Sequence, residues 1–233
     1  MKNRSRSYVK AVTDQLKDAR KSAAVTSVVR TGTGVKVTSA GGKVETFDDV
    51  VFATHSDVTL KILGSDATKE EREILEGIPY ASNDVYLHRD PALMPINKKT
   101  WASWNCLDRS CDNSDSPSDT AVCVTYWVNS LQRLPEGSGD LFVTLNPQNP
   151  PKKEHTVRKL VLSHPVFSYK SRESQRRLPE IQGKKSTWFC GAWCGYGFHE
   201  DGIKAAVAVV EGMGATVPWT PRPTSPNVSL SHR

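Results

Sequence analysis

The chain has 233 residues with 37% hydrophobic and 24% charged side chains, a balance typical of one large or two small globular domains. Its apolar runs are far shorter than the ~20 residues of a membrane helix, and no apolar stretch follows the basic start to form a secretory signal. The net charge of +6 comes from scattered basic residues without a nucleic-acid-binding motif, which argues against nucleic acid as the main ligand.

The early part of the chain predicts one helix followed by short strands. Apolar residues at helical spacing predict a helix over 7–21. The stretches 25–29, 35–38 and 44–47 are rich in valine or alternate between apolar and polar residues, and glycine turns separate them. This pattern predicts a β-meander.

The run 49–54 differs from these strands because it is continuously apolar and ends in small residues. Such a run predicts a strand buried on both faces of a parallel sheet that is covered by helices. Ligands of open α/β sheets bind beyond the carboxyl ends of the strands, so the end of this run is a candidate ligand position. A helix is predicted next, over 66–77, where Thr68 and Glu71 have the spacing of a capping box.

The remainder of the chain alternates predicted strands with helices and loops. Strands are predicted at 84–88, 121–128, 141–145 and 187–190, helices at 155–162 and 202–211, and either a helix or a loop at 171–179. Loops are predicted at the Ser/Asp-rich stretch 108–120 and at 146–151, and a disordered tail at 218–233.

The five cysteines are odd in number and lack the spacing of a zinc site. A chain of this size with few cysteines is typical of a reducing compartment, so we expect a cytoplasmic protein. We predict that the thiols are free or buried and that no metal is bound.

The segment 188–206 carries the strongest local signal. It predicts a strand, then a loop containing Gly191, Gly195 and Gly197, then a helix of small residues. The free N–H groups and the positive dipole end at a helix start favour a phosphate or an electron-rich ring atom. On this pattern alone, a glycine-rich turn before an ordinary packing helix explains the segment equally well.

Several separate segments add a family resemblance. They are, in chain order, Ser5–Val9, Phe47–His55, Asn83–His88, Leu93–Pro95, Trp101–Asn105 and Phe189–Gly202. Together they resemble the C-terminal part of the FAD-dependent amine oxidase superfamily. The closer resemblance is to predicted NAD/FAD-binding, amine-oxidase-like proteins, whose relatives include the oxidase-like region of plant cyclopropane fatty acid synthases.

The resemblance implies an α/β fold with an incomplete FAD-binding, Rossmann-like sheet and an amine-oxidase-like substrate domain built on a mixed sheet. The FAD-binding part would comprise residues 5–65 and 187–217, and the substrate domain residues 66–186. The implied function is that of the C-terminal part of a FAD-dependent oxidoreductase of amine-oxidase type, with an unspecified substrate.

The resemblance also carries over cofactor contacts in the glycine-rich segment. Gly191 and Ala192 match the pair whose backbone meets the pyrophosphate region of FAD. Gly202 and Ile203 match the helix start near the pyrimidine edge of the flavin. A positive helix end at that edge would stabilise the electron density that arrives on reduction.

Three further cofactor contacts carry over from outside that segment. Val25 matches a strand residue beside adenine, and Ala53 and Thr54 match a turn along the cofactor, although Val25 and Ala53 are also explained as core residues. The chain departs from the family in lacking the N-terminal βαβ unit with G-x-G-x-x-G and a later acidic residue. We therefore predict weak or absent FAD binding by this chain alone.

Aromatic residues and one histidine are candidates for substrate binding and proton transfer. Trp101, Trp104 and Tyr196 could wall an apolar pocket, although core packing explains the two tryptophans equally well. His199 is a candidate catalytic residue for proton transfer, with a polar cluster at a helix start as the alternative.

Three functions stay open from the sequence. The first is the oxidoreductase, acting on a small-molecule or lipid-like substrate. The second is a non-catalytic remnant or partner module that binds its missing N-terminal FAD domain in trans or a lipid-modifying enzyme. The third is binding to an anionic lipid surface, which the positive net charge would favour.

Overall fold

The computed structural model describes residues 4–107 and 123–219, and these residues fold into two compact units. The predicted loop 108–120 and the predicted tail beyond residue 219 lie outside the described residues. Each unit has a sheet and a buried core of its own.

The division between the units falls at different positions from the predicted domain limits. The first unit is formed by residues up to 20 and by residues 80–164, and the second by the rest. Residues 66–79 and 165–186, which we assigned to the substrate domain, therefore lie in the second unit. The correspondence of these units to a cofactor domain and a substrate domain stays a prediction.

The described residues form ten strands and six α-helices. The strands are β1 (Val25–Thr31), β2 (Gly34–Ser39), β3 (Val44–Phe47), β4 (Val50–Phe52), β5 (Tyr80–His88), β6 (Trp104–Leu107), β7 (Cys123–Trp127), β8 (Phe142–Leu145), β9 (Thr156–Pro165) and β10 (Thr187–Phe189). The helices are α1 (Arg4–Thr13), α2 (Ser56–Leu63), α3 (Lys69–Leu75), α4 (Val128–Gln132), α5 (Tyr169–Arg177) and α6 (His199–Gly212).

The first unit is built on one five-stranded sheet with the strand order β6-β7-β8-β5-β9. The ladders β6–β7, β7–β8 and β8–β5 are antiparallel, whereas we predicted a mixed sheet for the substrate domain. The link from β7 to β8 contains the short helix α4 and residues 133–141, and the chain reverses there.

The two faces of this sheet differ in burial because successive side chains on a strand point to opposite faces. His88, Phe142 and Thr144 lie on one face and are fully buried. On the other face, four residues at directly paired positions lie side by side across the strands. We call them the apolar row: Leu87, Val143, Tyr126 and Trp104. Trp104 at the end of the row is 62% exposed.

The segment that we predicted as a helix over 155–162 is instead the strand β9, so that prediction was wrong. The Arg89 N–H donates to the His155 carbonyl at 2.8 Å, and the Lys159 amine lies 2.8 Å from the Asp84 carboxylate. Edge pairing with β5 gives this stretch its hydrogen bonds, and its valines and threonine favour an extended backbone. Most of β9 is exposed.

The second unit contains the predicted β-meander, which is confirmed as a three-stranded antiparallel sheet of β1, β2 and β3. It also contains a parallel pair, β4 and β10, in which Phe52 lies opposite Phe189. These two rings stack with their centroids 5.9 Å apart and are buried. The expected parallel pairing is confirmed, but β4 is not buried on both faces, because Val51 is 42% exposed.

The predicted capping box at the start of α3 is confirmed. The Glu71 N–H donates to the Thr68 hydroxyl at 3.2 Å, and the Thr68 N–H donates to the Glu71 carboxylate at 2.8 Å. Glu71 also pairs with Arg30 of β1, and both side chains are 2% exposed. Because a broken buried ion pair leaves an uncompensated charge, this pair fixes α3 against β1.

Two further helix predictions are corrected or resolved. The helix predicted over 7–21 ends at Thr13, and Leu16 beyond it is exposed. A short helix without packing is marginal in water, so the apolar spacing alone does not extend α1. The ambiguous stretch 171–179 is largely helix α5, which begins after Ser168, whose hydroxyl accepts the Ser171 N–H.

Candidate functional site

The carboxyl ends of the parallel strands β4 and β10 meet in the second unit. The Cys190 N–H donates to the Phe52 carbonyl at 2.9 Å and continues the ladder by one residue. The indole N–H of Trp193 then donates to the Thr54 carbonyl at 3.0 Å. Residues 53–54 and 191–193, which are far apart in the chain, therefore lie beside each other, where ligands of open α/β sheets bind.

The helix α6 begins at this same place. A Cβ built on Gly202 would lie 3.7 Å from the Ala192 nitrogen, so the first turns of α6 pack against the loop. The structure thus brings together six of the seven predicted cofactor contacts, which are Ala53, Thr54, Gly191, Ala192, Gly202 and Ile203. We call these six residues and Trp193 the strand-end site.

The start of α6 differs from the prediction in one respect. We predicted the helix start at Gly202, but the helix begins at His199. The Gly202 N–H donates to the Phe198 carbonyl at 3.2 Å, so that amide is already hydrogen bonded within the helix. The Asp201 N–H also donates to the Phe198 carbonyl, at 3.1 Å. The N–H groups at the helix start that have no acceptor within the helix are therefore those of His199 and Glu200.

Gly191 is needed in the loop for a backbone reason. Its φ is +145°, and a Cβ there would lie 2.8 Å from the indole nitrogen of Trp193. Trp193 is buried, and its N–H is the donor to Thr54. Gly191 therefore allows the indole to tie the β10 loop to the end of β4.

Charged groups at the start of α6 are occupied in local contacts. The Asp201 carboxylate accepts the Phe198 N–H at 3.0 Å, and Glu200 lies 3.6 Å from the Lys204 amine. Acidic side chains in the first turn are favoured by the helix dipole. His199 is exposed at the first helical position, and its catalytic role stays a prediction.

The cysteines near the site are poor nucleophiles. Burial raises the pKa of Cys190, and it raises the pKa of Cys194 to about 12, with the neighbouring Cys190 adding to that shift. Both thiols are therefore protonated at neutral pH. In the part of the chain that the structure describes, no three metal-ligating side chains cluster, and Cys106, Cys123, Cys190 and Cys194 form no disulfide.

Val25 is the one predicted cofactor contact that does not belong to the strand-end site. It starts β1, pairs with Ser39 and is 38% exposed. The ladder shifts register between Val25 and Ser27, so the strand is irregular there. Contact of Val25 with adenine stays a prediction.

The predicted pocket residues have different surroundings. Trp101 packs edge-on against Trp127 and Phe142 at 5.3 and 5.5 Å, and its N–H donates to the Pro95 carbonyl at 2.7 Å. These contacts make Trp101 a packing residue of the first unit. Trp104 lies in the apolar row, 5.1 Å from the Tyr126 ring.

Tyr196 belongs to the second unit and is 60% exposed. It lies in the loop before α6, and the Arg172 guanidinium of α5 donates to its hydroxyl. Arg172 was not predicted from the sequence, because residues 172 and 196 meet only in the folded chain. Tyr126 was not predicted either, although the alternating pattern of 121–128 contained that signal.

One further polar atom was missed. Among the described residues, the buried side-chain oxygen without a hydrogen-bond partner is Asp57 Oδ1, in the first turn of α2 and three residues after Thr54. The small residues and the α6 amides of the strand-end site fit contacts to an electron-rich ligand such as FAD, and an unpartnered carboxylate oxygen can accept a hydrogen bond from a ligand hydroxyl. No part of the sequence supplies the glycine-rich βαβ turn that grips a pyrophosphate.

No protein-family model and no curated protein matches this chain. Among solved structures, a CLA-producing fatty acid isomerase from P. acnes superposes with a TM-score of 0.63 at 14% identity, over 90% of this chain and 52% of that chain. Reduced UDP-galactopyranose mutase gives 0.56 at 14% identity, over 88% and 50%. A triple mutant of putrescine oxidase gives 0.56 at 9% identity, over 91% and 52%.

The chain has the fold of these enzymes. At identities between 9% and 14% the likeness shows the fold alone. The chain spans about half the length of each of these solved structures. None of the three is a cyclopropane fatty acid synthase, so that finer resemblance stays a prediction, as does the incomplete Rossmann-like sheet.

The described helices include none with both the length and the apolar character needed to cross a bilayer.

Proposed function

We propose that this chain is the C-terminal part of a FAD-dependent oxidoreductase of amine-oxidase type. One of its structural neighbours is a putrescine oxidase, which matches nearly all of this chain with about half of its own length. The observation that carries the proposal is the strand-end site, where β4, β10 and the start of α6 meet. Open α/β sheets bind their ligands beyond the carboxyl ends of their strands.

The chain's own groups would hold one side of the cofactor. Gly191 and Ala192 would leave backbone close to the ligand, and Ala53 and Thr54 would contact it from the end of β4. The amides at the start of α6 would stabilise negative charge on the ring atoms beside Gly202 and Ile203. When bound, FAD would supply a hydride acceptor, and the protein would orient the substrate and exclude water.

Substrate contacts would come from aromatic residues and one titratable group. In the first unit, Trp104 of the apolar row presents an exposed ring, and Trp101 would support the sheet from its other face. In the second unit, Tyr196 of the α6 loop presents an exposed ring as a separate candidate contact. His199 would transfer a proton at the start of α6. Val25 would contact the adenine of FAD from β1.

We also propose that the protein acts in the cytoplasm.

The test is a FAD titration followed by flavin fluorescence, on this chain and on a longer chain that includes a βαβ unit with G-x-G-x-x-G. We expect tight binding only by the longer chain, because pyrophosphate contacts need that unit. Tight binding by the short chain would show that the strand-end site carries more of the cofactor than we propose. If neither chain binds FAD, the oxidoreductase proposal fails.

The variant Gly202→Ala tests whether the cofactor occupies the strand-end site. The new methyl group meets Ala192 only at ordinary contact distances of 3.7–3.9 Å, so the fold accepts it. We expect the longer chain to lose FAD affinity by about tenfold or more, since overpacking a site costs about 1–3 kcal/mol. The matched control is Gly32→Ala in the β1–β2 turn, where no atom lies within 4 Å of the new methyl. Equal affinities for both variants would place the cofactor elsewhere.

The second candidate function is a non-catalytic partner module that binds the missing N-terminal FAD domain in trans or a lipid-modifying enzyme. The two-stranded sheet of β4 and β10 favours it, since each strand has one strand neighbour among the described residues. Parallel sheets are normally larger and covered on both faces. A mixture of this chain with the separate βαβ-bearing domain that forms a complex without flavin would support this reading.

A further inference from the structure

The second unit carries an arginine whose surroundings fit a small anionic ligand. Three arginines lie on α5. Arg176 pairs with Glu173, and Arg177 pairs with Glu180 and Glu73. Arg172 has no ion pair with a carboxylate among the described residues, and its guanidinium contacts Tyr196 instead.

Two contacts hold the Arg172 guanidinium in place. It donates one N–H to the Tyr196 hydroxyl, and its central carbon lies 5.3 Å from the centre of the Tyr196 ring. A guanidinium has five N–H donors in a planar fork that matches a carboxylate with two parallel hydrogen bonds. Because one contact uses only part of the fork, the remaining donors are available to a ligand.

Further aromatic rings lie next to Tyr196, in space or in the chain. The Phe167 and Tyr196 rings are 6.4 Å apart, and Phe167 also packs against Gly197. Tyr196 is 60% and Phe198 67% exposed. Exposed aromatic rings beside a cation fit a ligand that combines an apolar body with an anionic end.

The cluster is tied firmly to the strand-end site. Gln175, one turn along α5 from Arg172, donates to the carbonyls of Trp193 and Gly195, both at 2.8 Å. Trp193 in turn donates to Thr54 at the end of β4. A group bound to Arg172 would therefore have a fixed position beside the strand-end site.

We propose that Arg172, held by Tyr196, binds the carboxylate of an apolar, carboxylate-bearing substrate, with Phe167, Tyr196 and Phe198 contacting its apolar part. This inference rests on the proposed function, because it supplies the substrate class for that site. Arg172 would be a binding residue that orients the substrate, and the carboxylate itself would take no part in bond making or breaking.

The experiment measures ligand binding to the 233-residue chain by calorimetry, without flavin. The probes are decanoate, 1-decanol and decylamine, which share one chain length and differ in the head group, each below its micelle-forming concentration. We expect decanoate to bind at least about tenfold more tightly than the other two, since a hydrogen bond to a charged group is strong. Equal binding of the three probes, or no binding of decanoate, would overturn the proposal.

Variants assign the effect to the guanidinium. Arg172→Gln should weaken decanoate binding by about tenfold or more, and Arg172→Lys should restore only part of it, because an ammonium lacks the planar fork. Arg176→Gln is the matched control on the same helix and should leave decanoate affinity unchanged. An unchanged melting temperature in Arg172→Gln shows that the loss is not misfolding. If Arg172→Gln binds decanoate like Arg176→Gln, Arg172 is not the binding residue.

The result is separable from the proposed function. In the longer chain, FAD affinity should be the same for Arg172→Gln and the wild type, since Arg172 is assigned to substrate. Arg172-dependent decanoate binding without any FAD binding would refute the flavoprotein proposal and leave the carboxylate site standing. FAD binding by the longer chain without a preference for decanoate would refute the carboxylate site and leave the flavoprotein proposal standing.

Discussion

At the scale of single residues, His88 is a fully buried histidine with both ring nitrogens hydrogen bonded. The Asp90 N–H donates to Nδ1 at 3.1 Å, so the ring proton lies on Nε2, which donates to the Thr144 hydroxyl at 2.7 Å. A second hydroxyl, that of Thr125, lies 2.8 Å from Thr144. The sheet core of the first unit is therefore built around a neutral imidazole.

Protonation of His88 should destabilise the first unit in mild acid. Burial lowers the pKa of His88, and the nearby Asp90 only partly opposes this shift. The folded pKa then lies below the unfolded value of about 6.5, so stability is full above that value and is lost as the pH falls below it. We expect the urea midpoint to fall between pH 7 and pH 5, and His88→Gln to reduce this dependence. His155→Gln, at an exposed position, is the control and should keep the wild-type dependence.

At the scale of elements, the turn from β10 into α6 depends on the conformation of Gly191. Gly191→Ala would place a methyl group 2.8 Å from the Trp193 indole at a φ of +145°. We expect a loss of about 1–3 kcal/mol in the free energy of unfolding, measured by urea denaturation, because the backbone and the Trp193–Thr54 hydrogen bond must shift. Gly202→Ala in the next element has room for its methyl and should not lose stability. Equal stability of the two variants would show that the turn relaxes without cost.

Element assignment from the sequence succeeded where local chemistry decides. The capping box at Thr68 and Glu71 is a contact between near neighbours in the chain, and the structure confirms it. The helix prediction for the stretch 155–162 was wrong because valine and leucine runs fit either a helix or an edge strand until a neighbouring strand is known. Its hydrogen bonds to β5 come from a segment about 70 residues earlier, which local patterns do not encode.

At the scale of the whole molecule, the exposed Val51 of β4 allows a test of whether a second domain docks on the β4–β10 pair. If the βαβ-bearing domain docks on the β4–β10 pair, Val51→Lys should weaken the complex of the two chains by about tenfold or more, since a buried unpaired charge is costly. Val44→Lys, at an exposed valine of β3 in the same unit, is the matched control. Affinity can be measured by calorimetry on the mixed chains, and equal loss in both variants would place the docking surface elsewhere.

Exposed apolar side chains predict how this chain behaves alone. They occur on α1 and β9 and, in the second unit, on β4. We expect self-association on size-exclusion chromatography and binding of an apolar dye, both reduced when the βαβ-bearing domain is present. A monomeric chain without dye binding would contradict this expectation.

The sequence by itself determined the features that depend on neighbouring residues. These are the meander, the capping box, the apolar run that becomes β4 and the glycine-rich turn into α6, because turn chemistry and side-chain alternation are local properties. Tertiary structure alone decided the joining of β4 to β10 in register, the placing of Trp101 in a core and Trp104 on an open face, and the contact of Arg172 with Tyr196. These contacts join residues far apart in the chain, and packing and burial select them only once the sheets have formed.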